Sequence, residues 1–181
     1  MGTQTVPRKL PFSYKLKKTV VSIALLALGV TFVKVSNKDR ELQEELEDWT
    51  DNLVFSLGVL PKGPAITMKH VNGRIKYLGR GYKEDPELKI LFKNVDSAFL
   101  PFTGQMGSHT AFVQHRALLH GNVVDGIKAN RAMNIVQKYL LPKIVLNYTF
   151  KRPPKYTFRQ LLLKLNVYMT MGLGIALNAA K

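Results

Sequence analysis

Apolar and polar positions along this chain change period several times, and each change marks an element. Between Lys18 and Lys34 the run Thr19–Val33 carries no charge. As a helix it would span roughly 22 Å, against a hydrocarbon core of about 30 Å. Flanking Lys18 and Lys34 could snorkel and lengthen it. The run therefore reads as a short membrane anchor or interfacial helix, a helix docked on the domain, or the apolar core of a signal sequence. No small-x-small cleavage pattern follows it, which counts against the last. Next, Leu42, Leu46, Trp49 and Leu53 recur at helical spacing among Glu41, Glu44, Glu45, Glu47 and Asp48. With Ser36 as N-cap and Asp39 three residues on, this predicts an amphipathic helix of three to four turns with a solvated acidic face.

Period-two alternation takes over at Leu53, Phe55, Leu57 and Val59 and predicts a strand. Pro61-Lys62-Gly63-Pro64 is turn chemistry. Residues 65–70 and 74–79 read as strands joined at Asn72-Gly73, a pair suited to a type I′ turn because both central residues need positive φ. Residues 88–92 and 118–122 complete a set of five. Val124–Leu141 is periodic at 3.6 and stops before Pro142. A last helix runs from about Thr157 to Ala179 and is apolar nearly all round, so it must be buried, membrane-embedded or a binding wall. Strands followed by covering helices give an α+β fold, with a mainly antiparallel five-stranded sheet.

Charge adds a second pattern. The formal net charge is +15, from 27 Lys and Arg against 12 Asp and Glu in 181 residues. Half of the acids fall between Glu41 and Asp51, and from Ser97 onward Asp125 is the only acid. A body this basic attracts polyanions. Its bases are dispersed among apolar residues rather than clustered with stacking aromatics, which favours an anionic membrane over nucleic acid. The chain has no cysteine, so disulfides, thiolate metal sites and a Cys nucleophile are excluded. That fits a reducing, cytoplasmic setting.

Candidate chemistry is sparse. His109, His115 and His120 have spacings that fit no single helical face, so no metal site is expected. Ser97 and Ser108-His109 lack a Gly-x-Ser-x-Gly elbow and an orienting acid. Gly79-Arg80-Gly81 and Gly172-Leu173-Gly174 open no phosphate-binding strand–turn–helix. No cofactor is implied.

Between Asp85 and Pro142 the chain resembles the sterol carrier protein type 2 family, in a branch of small bacterial single-domain members. The residues that carry the resemblance are packing and turn residues. They are the Asn72-Gly73 hairpin, the Asp85-Pro86-Glu87 lead-in to Leu88-Lys89-Ile90-Leu91-Phe92-Lys93, the turn Phe102-Thr103-Gly104-Gln105, Ala111-Phe112-Val113-Gln114-His115-Arg116, Gly121, and Tyr139-Leu140-Leu141-Pro142. The resemblance covers roughly residues 50 to 145. It implies a five-stranded sheet covered by helices, an apolar tunnel between them, and non-enzymatic carriage of sterols, fatty acids, acyl-CoA or phospholipids.

From that resemblance and the apolar last helix, an elongated pocket is expected, lined by some of Phe99, Phe102, Phe112, Leu162, Leu165, Met169 and Met171. Membrane contact is assigned to Lys15, Lys17, Lys18, Ile23, Leu25, Leu26 and Phe32. Residues 1–35 form the N-terminal basic and apolar segment, and 36–181 the lipid-binding domain. The expected function is binding or transfer of a lipid or other hydrophobic ligand at a membrane surface. A structural or accessory subunit of a membrane-associated complex is the first alternative, and a nucleic-acid-associated basic protein the second.

Overall fold

The structure is a computed structural model that describes residues 12–142, 145–146 and 156–179. In chain order the elements are α1 (Phe12–Ser36), α2 (Arg40–Glu47), β1 (Val54–Val59), β2 (Ala65–Val71), β3 (Arg74–Arg80) and β4 (Leu88–Phe92), then α3 (Val95–Phe102), α4 (Ser108–Val113), β5 (Ala117–His120), α5 (Val123–Leu140) and α6 (Phe158–Ala179). All five expected strands are present. They form one sheet in the order β3-β2-β1-β4-β5. Only the β1–β4 pair is parallel; the β1–β2, β2–β3 and β4–β5 pairs are antiparallel. Asn72 (φ 50°) and Gly73 (φ 70°) both occupy the left-handed region that a type I′ turn demands.

β1 lies at the centre of the sheet and is buried along its whole length. On one face the Phe55 ring meets Phe32 of α1 and Trp49 edge-on, at 6.1 and 5.3 Å. The opposite face is roofed by the chain itself. Leaving the edge strand β3, residues 81–87 lead back to β4 on the far side of β1. Thr67 Oγ1 donates to the Gly81 carbonyl (2.7 Å) and accepts from the Lys83 amide (3.1 Å), which ties this strap down. A Cβ on Gly58 would collide with the Tyr82 hydroxyl. Glycine at that position is therefore what lets the strap lie flat on the sheet.

α1 packs against the sheet and the other helices. By length and composition Ser13–Ser36 could cross a membrane. Yet Val21, Leu25, Leu28, Phe32 and Val35 are fully buried, and the helix packs against α3, α5, β2 and β3. Leu25 and Phe32, assigned above to membrane contact, are buried in this packing.

The start of α2 also differs from expectation. Ser36 is the last residue of α1, and Asp39 is the cap, accepting from the Leu42 amide at 3.0 Å. The Ser36 hydroxyl donates to the Val33 carbonyl and accepts from the Ile75 amide of β3 (3.2 Å), joining α1 to the sheet edge. α2 ends at Glu47, so Trp49 and Leu53 lie beyond it. They share its period because all four side chains point into one core.

Candidate ligand and membrane surface

α6 carries the largest contiguous set of outward-facing apolar side chains among the described residues. Phe158, Leu161, Leu162, Leu165 and Met169 are each more than half exposed. Their spacing of three, four, seven and eleven residues from Phe158 places them on one helical stripe. Leu163, Lys164 and Val167 face the other way and are buried.

The helix is held by a set of polar ties. Thr157 and Gln160 form a reciprocal capping box: the Thr157 amide donates to Gln160 Oε1 (3.0 Å), and the Gln160 amide to Thr157 Oγ1 (3.4 Å). Lys34 of α1 donates to Asn166 Oδ1 (3.0 Å) and to the Thr170 hydroxyl. Burial, and then the charge of Lys38, lower its pKa from the usual lysine range. The Asp39 carboxylate is buried and accepts from the Tyr139 hydroxyl and from Gln160 Nε2 (3.4 Å). Burial first, and Asp39 second, push the Tyr139 pKa strongly upward. Asp39 therefore joins the start of α2 to α5 and α6.

Lys164 is the counterpart of Asp39 on α6. Its amine donates to the carbonyls of Lys138 (2.8 Å) and Leu141 (2.7 Å) and to the Tyr156 hydroxyl (3.0 Å). It also lies 4.7 Å from the centre of the Tyr156 ring. The amine thus satisfies carbonyls at the C-terminal end of α5, where the helix dipole favours a cation. Burial lowers its pKa to about 8 and raises that of Tyr156 to about 12.

The seven residues expected to line one pocket fall into two groups. Phe102 is buried edge-on against Phe92, at 5.4 Å. Phe99 is half-buried, with Lys17 Nζ 5.8 Å from its ring centre. Phe112 is half-buried against the core. Leu162, Leu165 and Met169 lie on the exposed stripe of α6. Met171 belongs to α6, but its side chain lies outside the described residues. Phe99 sits beside Lys17 while α6 is tied to Lys34, so the groups are separated by roughly 25 Å along α1. The core side chains of α1 occupy the interval.

On the exposed side of α1 lie Lys15, Lys18 and Ile23, together with Leu16. Leu26 is half-buried, and Lys17 is paired with Asp96 at 2.6 Å. A groove of about 350 Å³ runs between α6 and the α1–α2 corner, lined by Lys38, Asp39, Arg159, Gln160, Leu162 and Asn166. A second groove, of about 450 Å³, separates α2 from α5. Its charges are matched across the gap by Arg131–Glu45 (2.9 Å) and Lys138–Glu41 (2.5 Å). The acidic run of α2 therefore serves partly as counter-charge to α5. Sequence reasoning missed the roles of Asp39, Lys164, Lys34 and Phe158. For Lys164 a signal existed, since it is the single charge inside an otherwise uncharged stretch from Gln160 to Ala180.

No family model matches this sequence, and no curated protein does. Among solved structures the chain is similar to a conserved hypothetical protein from Thermus thermophilus with a suggested sterol-carrier identity. That match has a TM-score of 0.48 and 13% identity, over 71% of this chain and 91% of the other. It is also similar to the ubiquinone synthesis protein UbiJ-SCP2, with a TM-score of 0.40 and 15% identity, over 70% and 99%. A third is the apo form of sterol carrier protein 2 from Yarrowia lipolytica, with a TM-score of 0.38 and 16% identity, over 73% and 96%. At these scores the likeness is a partial one of chain path, and it assigns no ligand to this chain.

Proposed function

We propose that this chain is a non-enzymatic binder of a lipid or similar hydrophobic ligand at a membrane surface, and that the outer stripe of α6 meets the apolar chain. One observation carries the proposal: Phe158, Leu161, Leu162, Leu165 and Met169 are exposed together on a helix whose other face is already anchored. Covering five such side chains gains on the order of 10 kcal/mol in gross terms, comparable to the cost of fixing a ligand or a surface. A solvated helix has no use for such a stripe. The non-enzymatic reading is supported by Asp39 and Lys164. These buried charged groups are committed to hydrogen bonds at helix ends. Arg159, exposed beside the stripe, supplies a cation for an anionic headgroup.

The test is Leu162→Asp with Leu165→Asp. Both positions are exposed, so the double variant should keep its circular dichroism spectrum and thermal midpoint. It should also lose retention of extracted lipid in native mass spectrometry and pelleting with anionic vesicles. Wild-type behaviour from a folded double variant overturns the proposal. The accessory-subunit reading keeps one specific support. Side chains of α1 fill the space between sheet and helices where a carrier would hold cargo. It predicts a wild-type protein that purifies without lipid and ignores vesicles.

A further inference from the structure

A third groove, of about 450 Å³, lies at the other end of α1 from α6. It is bounded by α1, the β1–β2 turn and the end of β3, and lined by Lys18, Thr19, Ser22, Lys62, Gly63 and Arg80. Three elements far apart in sequence each bring one cation to it. No Asp or Glu lines it, and none of the three cations enters an ion pair among the described residues. The α2–α5 groove makes the contrast, because there each cation has a carboxylate opposite. Three like charges gathered around one concavity repel one another unless an anion joins them.

One hydroxyl is free to donate. Thr19 Oγ1 commits its proton to the Lys15 carbonyl (3.1 Å) and offers an anion no donor as it stands. The Ser22 hydroxyl has no hydrogen bond among the described residues, so it can donate to an anionic oxygen. Arg80 presents the fork of donors that matches phosphate oxygens, while Lys18 and Lys62 act as point charges. The geometry points to a binding site for a phosphate-type anion. Its source is either a phospholipid headgroup or a free phosphate or phosphate monoester. Only the headgroup source rests on the membrane reading above.

The experiment uses the whole chain and follows backbone amide shifts on titration with inorganic phosphate, then with glycerol 3-phosphate. In parallel, vesicles of phosphatidic acid in phosphatidylcholine are tested for binding and for competition by glycerol 3-phosphate. Shifts should concentrate at residues 18–22, 62–64 and 80. Lys62→Glu with Arg80→Glu should weaken phosphate binding about thirtyfold, since each lost cation near the anion contributes roughly 1 kcal/mol. Arg74→Glu with Lys76→Glu makes the same charge change beside a different groove and should weaken it far less. Leu162→Asp with Leu165→Asp should leave phosphate binding intact, so failure of the α6 reading stays distinguishable. Vesicle binding that glycerol 3-phosphate competes away assigns the headgroup; phosphate binding without vesicle binding assigns the free anion. Shifts spread over the whole basic surface, or equal losses in both double charge reversals, overturn the site. So does an absence of response to both phosphate and phosphatidic acid.

Discussion

Lys164 gives the sharpest prediction about stability. Its pKa falls from the ordinary 10.5 to about 8 because folding removes its amine from water. Below pH 8 both folded and unfolded chains are protonated there, and folding bears the full desolvation penalty. Between pH 8 and 10.5 the unfolded chain still holds the proton while the folded chain releases it. The unfolded state then binds more protons, so stability must rise with pH. Between pH 7 and pH 10 the gain is roughly 2 kcal/mol for a shift of this size. The carbonyls of Lys138 and Leu141 favour the charged amine and pull the gain below that value. Above pH 10 the trend reverses, because Tyr156, raised to about 12, stays protonated when folded after its unfolded counterpart ionises.

The assay is urea unfolding at pH 7, 8, 9 and 10, for the wild type and Lys164→Met. Methionine keeps most of the side-chain volume and carries no charge. Titrating groups out of contact with Lys164 cancel in the difference between the two proteins, and its partner Tyr156 is raised to about 12, so up to pH 10 the wild type should gain relative to the variant as pH rises. Equal slopes would show that the amine is hydrated in the folded state, and the account of how α6 is anchored would fail.

Phe32→Ala should cost about 3–5 kcal/mol of unfolding free energy in lipid-free buffer; an unchanged urea midpoint would remove α1 from the core. Asp39→Ala should cost about 1 kcal/mol for the lost cap and a further 1–3 kcal/mol for the unpaired Tyr139 hydroxyl. A double-mutant cycle checks this, since Tyr139→Phe should cost less on the Asp39→Ala background. Gly73→Val should cost roughly 1–2 kcal/mol, because φ there is 70° and nothing else crowds the position; calorimetric midpoints would report it.

The sheet was legible because its signals are local. Alternation marked β1, Asn72-Gly73 closed the hairpin, and the Asp85-Pro86 break set the approach to β4. The parallel β1–β4 pairing was less legible, since it depends on the strap over the sheet and therefore on Gly58 and Tyr82, whose relation no window of sequence contains. The sequence left the place of α1 open for a physical reason. Length and apolarity measure what a helix can cross, whereas its fate depends on whether other elements offer an apolar face, and β2, β3, α3 and α5 do. The cap of α2 moved from Ser36 to Asp39 because α1 continues through Ser36. On α6 the apolar pattern is nearly isotropic, so the outward stripe could not be separated from the inward one. Lys164 breaks that symmetry, but its partners are backbone carbonyls, which no side-chain pattern displays.

The position of α1 also shapes how the chain is made. The helix leaves the ribosome before each described element that covers it, and its contact with Thr170 of α6 is translated far later. At roughly 5–20 residues per second, the interval between Ser36 and Thr170 is on the order of 10 s. For much of it, a 25-residue helix with the apolarity of a membrane span lacks its full native cover. Insertion into a bilayer and docking onto the sheet are then rival destinations for a single nascent segment. The outcome is set by the relative speeds of strand synthesis and membrane capture. Synonymous changes that slow translation between β1 and β4 should therefore shift newly made chains toward the membrane without altering one residue of the finished protein.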